Sequence, residues 1–337
     1  MMGLGCQLAM LLFVPGFHGK QTALAPAGPQ AFRIEHTFLL IFWITAIVYL
    51  IVIAVLVIGV LRARTHDKGI PTPAPANPTH DRIVARIVAG ALGVSIVLLF
   101  VILVSSYRTS HATAALAASS GLTINVYGHQ WWWEVEYPNS EPYKIVHTAN
   151  EIHVPAGVPV TIHSTSRDVI HSFWAPNIHG KKDLLPGYFN DLTLEVDHPG
   201  NWRGQCAEFC GAQHAHMAFE IVAQTPQDFQ RWLTAQAKSA PPPANPQIAH
   251  GQEVFLSHPC VMCHTISGTT ANSRVGPDLT HLASRSTIAA GTLPNTIGNL
   301  AGWISNPQSI KPGCRMPPNP MSSADMNDLL AYLETLR

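Results

Sequence analysis

Charge is scarce in this sequence. Asp, Glu, Lys and Arg make up only 12% of the 337 residues, against 47% apolar residues, which is low for a soluble domain and points to membrane segments. Neither sign is in excess, since 20 basic residues balance 20 acidic ones, so no basic surface for nucleic acid is expected. No internal repeat is found. Cysteine is sparse as well, at six residues: Cys206/Cys210 and Cys260/Cys263 form two tight pairs, with Cys6 and Cys314 apart from them. Tight pairs point to metal, haem or redox sites rather than to a disulfide framework. What the chain does have is room for two or three domains, and enough Pro (27) and Gly (24) to favour turn-rich β structure and linkers. His is frequent, at 18, which alone decides nothing.

Charge disappears altogether from Thr37 to Leu61. A helix of that length spans about 37 Å, enough to cross a bilayer core with some tilt. Ile83 to Val104 is a second such run, with only Arg86 inside it, near one end where it can reach the interface. The loop between the runs carries Arg62, Arg64, Lys68 and Arg82, whereas the far flank has Arg108 and then no Lys or Arg until Lys144. The excess of basic residues puts the loop in the cytoplasm and both termini outside. At the N-terminus, Leu8–Phe17 has the apolarity of a signal-peptide core, with Ala25 and Ala27 as candidate cleavage points. Against this, no basic residue precedes the run and Lys20 follows it.

After about residue 120 short β-prone runs follow one another: Leu122–Tyr127, Lys144–Thr148, Val158–His163, Asp191–Val196 and Ala218–Ala223. Their spacing suggests a β-sandwich or barrel. Pro226–Lys238 reads as helix, and Ser239–Gln247 is a Pro-rich linker that can either separate two domains or let one fold back. The last segment shows helical patterns at both ends, around His250–His258 and Ser323–Arg337. The expected organisation is an N-terminal segment over 1–30, a membrane hairpin over 31–110 and a β-domain over 120–225. A helix and linker over 226–247 and a small helical domain over 248–337 complete it.

Two motifs carry the chemistry. The first is Cys206-Ala-Glu-Phe-Cys210-Gly-Ala-Gln-His214-Ala-His-Met217, between two predicted strands. Two thiols, an imidazole and a thioether are soft to borderline ligands that suit copper better than magnesium, calcium or manganese. A single blue-copper site uses one cysteine, and this loop has one more, so two coppers bridged by two thiolates fit the count. Each copper then needs one His and one weak ligand. His171, just after a predicted strand, is the best candidate for the second His, and a loop carbonyl for the second weak ligand. Two alternatives stand beside this: a structural zinc site, which has no use for Met217, and a Cys206–Cys210 disulfide. His163, His179, His198 and His216 read as surface or core residues.

The second motif is Cys260-Val-Met-Cys263-His264, the attachment signature of a c-type haem, with His264 as the proximal iron ligand. No second cysteine pair follows for a zinc finger. Met316 is the expected sixth ligand, with Met321 and Met326 as alternatives. Met/His ligation suits electron transfer over oxygen binding. A third feature is the run Trp131-Trp132-Trp133. On one strand Trp131 and Trp133 would share a face. Two of the three are expected in a core, and the third on a contact surface.

Taken together, the membrane hairpin, YGHQWWWEV, VIHSFWAPN, GQCAEFCGAQHAHM, PCVMCHT, RVGPDLTHLASR and IKPGCRMPPNP resemble subunit II of a haem–copper cytochrome c oxidase of the caa type. That type carries a cytochrome c fused to its C-terminus, and the resemblance covers nearly the whole chain from about residue 21. It implies a cupredoxin-like Greek-key barrel holding the binuclear copper centre CuA, and a small all-α cytochrome c domain. His171, Cys206, Cys210, His214 and Met217 take ligand roles by this resemblance. Glu208 gives its carbonyl to one copper, and its carboxylate reaches a magnesium ion at subunit I. Trp131 matches the tryptophan through which electrons enter, and Arg274 and Pro277 match residues that support the haem. The implied path runs from a cytochrome c or a quinol–cytochrome c reductase to the haem, to CuA, and on to subunit I, where oxygen is reduced to water. The implied place is a bacterial inner (plasma) membrane, multi-pass, with both metal domains on the periplasmic side.

The chain also departs from that pattern. Cys314 and Arg315 stand where Asn and Leu or Arg are common, Tyr188 replaces a basic residue, and no lipoprotein cysteine is found. Asp81 stands where many oxidases carry a Glu that helps proton uptake, which puts that role in doubt. A CuA-bearing subunit of a nitric oxide or nitrous oxide reductase is the alternative enzyme. A free-standing membrane electron carrier is the alternative of another class.

Overall fold

The computed structural model describes residues 19–65, 78–115 and 121–337. Cys6, the Leu8–Phe17 run and the loop residues Lys68, Pro71, Pro73 and Pro75 lie outside the described residues. Arg33–Ala115 form one unit, and the described residues before and after them form another.

The first unit is a pair of helices, α1 (Pro29–Thr65) and α2 (Pro78–Ala115). Each starts on a proline, where the missing N–H costs nothing. Both exceed the charge-poor runs because the flanking polar turns continue the helix. Their large apolar side chains, such as Leu50, Val55, Ile87 and Leu99, are exposed along the whole length. Exposure on that scale suits lipid and not water. Both helices are long and apolar enough to cross a membrane. Several hydroxyls inside them are satisfied within the pair: Thr45 and Ser95 donate to carbonyls one turn back, and Thr37 meets Thr109 of the other helix at 2.8 Å.

In the second unit ten strands build a β-sandwich of two five-stranded sheets. They are β1 (Leu122–His129), β2 (Trp132–Tyr137), β3 (Val146–Ala149), β4 (Glu151–Pro155), β5 (Val160–Ser166), β6 (His171–Trp174), β7 (Lys182–Leu184), β8 (Asn190–Leu194), β9 (Gly200–Cys206) and β10 (Ala218–Gln224). One sheet has the order β3-β2-β1-β5-β8 and the other β4-β10-β9-β6-β7. Only the β1–β5 and β4–β10 pairs are parallel. Alternating apolar residues from both sheets, among them Ile124, Val126, Trp133, Ile162, Phe173 and Phe219, fill the space between them. The tryptophan run is not one strand. Trp131 lies in the turn before β2, so it does not share the face of Trp133 as a continuous strand would require. Only Trp133 is fully buried, against Phe173 and Phe219 with ring centroids at 5.9 and 5.2 Å. Trp132 instead stacks on His129 at 4.4 Å.

The segment before α1 belongs to this sandwich. Asn177 accepts from Thr22 N and donates to the carbonyls of Gly19 and Ala25, while Asp197 N donates to Ala27 O. A cut after Ala27 would remove all four bonds, and one after Ala25 would remove the three to Asn177.

After β10 comes α3 (Pro226–Gln236), capped by Thr225. The chain then folds back: Ala240 N donates to Ser267 O at 2.9 Å, and His281 Nε2 lies 3.0 Å from the carbonyls of both Gln236 and Lys238. The last region holds α4 (Pro246–Ser257), a two-stranded ribbon of β11 (Thr287–Ile288) and β12 (Leu293–Pro294), and α5 (Ile297–Ser305), α6 (Pro307–Ile310) and α7 (Ser323–Leu333). Helices α4 and α7 pack so closely that a Cβ at Gly251 would sit 1.9 Å from Asp328 O. Phe255, Leu300, Ile304, Leu329 and Tyr332 form the core of this region.

Candidate functional site

The strands β9 and β10 are antiparallel neighbours, and the loop between them is closed at its base by Cys206 N donating to Met217 O at 2.9 Å. That closure brings both ends of the motif to one point. Strand β6 pairs with β9 on the other side, which delivers His171 to the same end of the sheet. The donor atoms converge. Cys206 Sγ and Cys210 Sγ are 3.7 Å apart and both are free thiols. His171 Nδ1 is 3.8 Å from Cys206 Sγ, His214 Nδ1 is 3.6 Å from Cys210 Sγ, and Met217 Sδ is 3.9 Å from Cys210 Sγ. Glu208 O lies 3.2 Å from Cys206 Sγ. All five side chains and the carbonyl expected from the sequence therefore meet, and no disulfide joins the cysteines.

His171 is held from behind. Its Nε2 meets Asp168 Oδ1 at 2.8 Å, which leaves Nδ1 to face the sulfurs. Burial opposes ionisation of Asp168, but hydrogen bonds from His171 and from the main chain of Gln130 and Val169 outweigh it and hold the carboxyl down at about 2. Gly128 lets the ring approach, since a Cβ there would lie 2.7 Å from His171 Cδ2. Of the two thiols Cys206 ionises first. Cys210 stabilises its thiolate by hydrogen bonding, and burial, which opposes this, is outweighed further by His171 and by the main chain of Glu208 and Ser172. Cys210 is pushed up by its hydrogen bond to Cys206, and further by burial and by the Cys206 charge. Two thiols, two imidazoles, a thioether and a carbonyl at these separations fit a copper pair.

The C-terminal region surrounds a cavity of about 340 Å³. Cys260, Cys263, His264 and Met316 all line it. His264 Nδ1 meets Pro277 O at 2.8 Å, which fixes the ring and frees Nε2. Burial pushes its pKa down, so the imidazole is neutral and fit to ligate. A Cβ on Gly276 would lie 2.8 Å from His264 Cε1. Met321 and Met326 pack against the core and do not line the cavity. Arg274 is exposed and outside the lining. Arg285 is inside it, and its buried Nε has no partner among the described residues. A cationic group left open toward an apolar cavity suits the carboxylates of a haem. The residues present therefore fit a covalently attached haem.

The same cavity reaches the β-sandwich, for Gln130, Trp131, Trp132 and Asn150 are part of its wall. Trp131 Nε1 donates to Cys210 O at 3.0 Å. Further contacts join the two regions. Ser286 donates through N and Oγ to Glu151 Oε1 at 2.6 and 2.7 Å, and Gln213 Nε2 donates to Pro312 O at 2.7 Å. Arg315 meets Asp168 Oδ2 at 3.3 Å. Sequence reasoning did not single out Asp168, Arg285, Gln213 or Lys311. Only Asp168, three residues before His171, carried a local signal.

Soft donors on a strand end beside a cavity lined by a haem-attachment motif serve electrons rather than bond making, and membrane-spanning helices precede them. The class is a membrane-anchored electron-transfer protein. The family described as cytochrome C oxidase subunit II, periplasmic domain, matches residues 122–225, and the cytochrome c family matches residues 248–337. The cytochrome c oxidase subunit 2 of Alkalihalophilus pseudofirmus is 33% identical over 338 residues, covering 97% of this chain and 95% of that protein. The cytochrome c oxidase subunit 2 of Bacillus subtilis is 32% identical over 232 residues, covering 65% of this chain and 64% of that protein. Among solved structures, the periplasmic domain of subunit II of cytochrome oxidase from Bradyrhizobium japonicum has 29% identity and a TM-score of 0.33, over 35% of this chain and 94% of its own.

This chain belongs to the cytochrome c oxidase subunit II family. Its two matched domains imply a CuA copper centre and a haem, and its role is electron transfer in a haem–copper oxidase. It is anchored in a membrane by its helices, with the metal domains on the outer side. The reductase alternative gives way to this assignment.

Proposed function

We propose that this chain takes electrons from an outside donor at its haem domain, hands them to its copper loop and delivers them to subunit I, where oxygen is reduced to water. The observation that carries this reading is Trp131. It walls the haem cavity, and its indole donates to the carbonyl of Cys210. One residue therefore touches both sites. When bound, the haem and the copper pair supply one-electron chemistry. The chain's residues keep the surroundings fixed while charge passes: Asp168 orients His171, and the Pro277 carbonyl orients His264. Cys260 and Cys263 would hold the haem and His264 and Met316 its iron. His171, Cys206, the Glu208 carbonyl, Cys210, His214 and Met217 would hold two coppers.

The outer face of the copper loop is left for subunit I. Phe209 is 77% exposed there, and the Glu208 carboxylate, 3.6 Å from Lys181, is open to solvent on one side. That carboxylate is the proposed magnesium contact. The proposed donor is a cytochrome c or a quinol–cytochrome c reductase, and the proposed setting is a bacterial inner membrane. Isolation of the complex with its partners tests the whole reading. Two coppers and one haem per chain, with a large haem-bearing membrane subunit co-purifying, are expected. Zinc or a single copper sinks the binuclear site, and absence of the membrane subunit leaves a free-standing carrier.

A further inference from the structure

Lys311 is buried, charged and unused by the function so far. It is 3% exposed and sits on the segment leading from α6 to Met316. Its ammonium donates to two main-chain carbonyls, Trp131 O at 2.7 Å and Ala289 O at 3.2 Å. The first belongs to the sandwich and the second to the haem domain. Burial pushes its pKa down to about 8, with the facing Cys314 and Cys210 opposing the shift. A buried cation held only by carbonyls is a cost to folding. A residue kept at this position for stability alone would be apolar.

The partner of Lys311 explains why the cost is borne. Trp131 is gripped at both ends: its carbonyl by Lys311 and its indole by the carbonyl of Cys210, which also accepts from Gln130 Nε2 at 2.9 Å. Pro312, next to Lys311, accepts from Gln213, next to His214. The segment that carries Met316 and the loop that carries Cys210 and His214 thus converge on one tryptophan. Arg315 adds a contact to Asp168, but its side chain is 62% exposed, and an ion pair so open to water holds weakly.

We propose that Lys311 is a positioning residue for electron transfer inside this chain, pinning the Met316 segment to the main chain of Trp131 so that the haem cavity stays fixed against the copper loop. The proposal rests on the reading that Trp131 lies on the route. With both groups bound, the step it would serve moves one electron, lost by ferrous iron and gained by the copper pair, with no bond made or broken. With the latch closed, the separation of the two sites is set by folding and not by repeated encounters of a swinging domain.

The test uses the intact oxidase, loaded with haem and copper. The haem is reduced by a light-activated dye and the copper absorbance is followed in wild type, Lys311→Met, Lys311→Arg and Trp131→Leu. Lys311→Met is expected to slow the transfer about tenfold or more. Its melting temperature should be no lower, and the absorption band of methionine-ligated ferric haem should be intact. Lys311→Arg, which keeps a cationic donor, is expected to retain most of the rate. Wild-type transfer in Lys311→Met, equal slowing in both Lys311 variants, or loss of the methionine band overturns the latch. If Trp131→Leu is slow while Lys311→Met is not, only the latch fails. If Trp131→Leu transfers at the wild-type rate, the route fails and the latch with it.

Discussion

The two metal-binding regions of this protein are built in opposite ways. The copper loop is local: five of its six donors come from residues 206–217, and one strand supplies His171. Its donor atoms already lie within 4 Å of their neighbours, among fully buried side chains such as His171 and Met217. The haem cavity is dispersed. Its wall runs from Phe255 to Leu333 and borrows Gln130, Trp131 and Trp132 from the sandwich. The difference follows from what each group demands. A pair of ions needs a few atoms placed closely, which one closed loop provides. A large flat prosthetic group needs walls, and walls need several elements. Damage to the first region is therefore expected to stay local, while damage to the second travels across the boundary between them.

The largest effect, and the sharpest test of locality, is Cys206→Ser. It should abolish the paramagnetic signal of an electron shared between two coppers and leave the haem spectrum unchanged, which resonance and optical spectra of one sample would report. Next comes Met316→Ala, which should convert low-spin haem to high-spin or lower its potential, with the copper signal intact. Met321→Ala should do neither, because Met321 does not line the cavity. A smaller loss is expected from Asp168→Asn. His171 loses its carboxylate, and copper affinity should fall by about 10–100-fold, as measured by competition with a chelator.

The smallest effect tests the boundary itself. Burial opposes ionisation of Glu151, but hydrogen bonds from His153 and from Ser286 of the haem domain bring its pKa below the ordinary carboxylate value. A lowered pKa in the docked state supports docking fully above the ordinary value. That support is lost as pH falls through the lowered one. Cleavage of the linker by a protease should therefore rise below about pH 4.3. Glu151→Gln should flatten that rise.

Much of the copper site was legible because its donors are close in sequence and their spacing is itself a motif. The same holds for Cys260, Cys263 and His264. The two membrane helices were visible from the absence of charge, though not their ends, since polar turns extend a helix without an apolar signal. What the sequence hid depends on distant pairs. Lys311 and Trp131 are 180 positions apart, Ser286 and Glu151 135 apart. Nothing in the local pattern around a lysine says that it will be buried. Arg274 and Arg285 show the same limit: both lie beside the motif, and only folding decides which faces the cavity. The tryptophan run misled for a related reason. A turn at Gln130–Trp131 breaks the alternation that a strand would impose.

The proline-rich stretch from Ser239 to Gln247 has a further consequence. Extended at about 3.1 Å per residue, as a proline-rich tether is, nine residues span about 28 Å, so a haem domain that lets go stays within about that distance of the surface it left. Its effective concentration there is in the millimolar range. An interface with an intrinsic dissociation constant of tens of micromolar would then be closed nearly all the time. The contacts between the domains are free to be few and partly exposed, because the covalent leash does the work that affinity does between separate proteins.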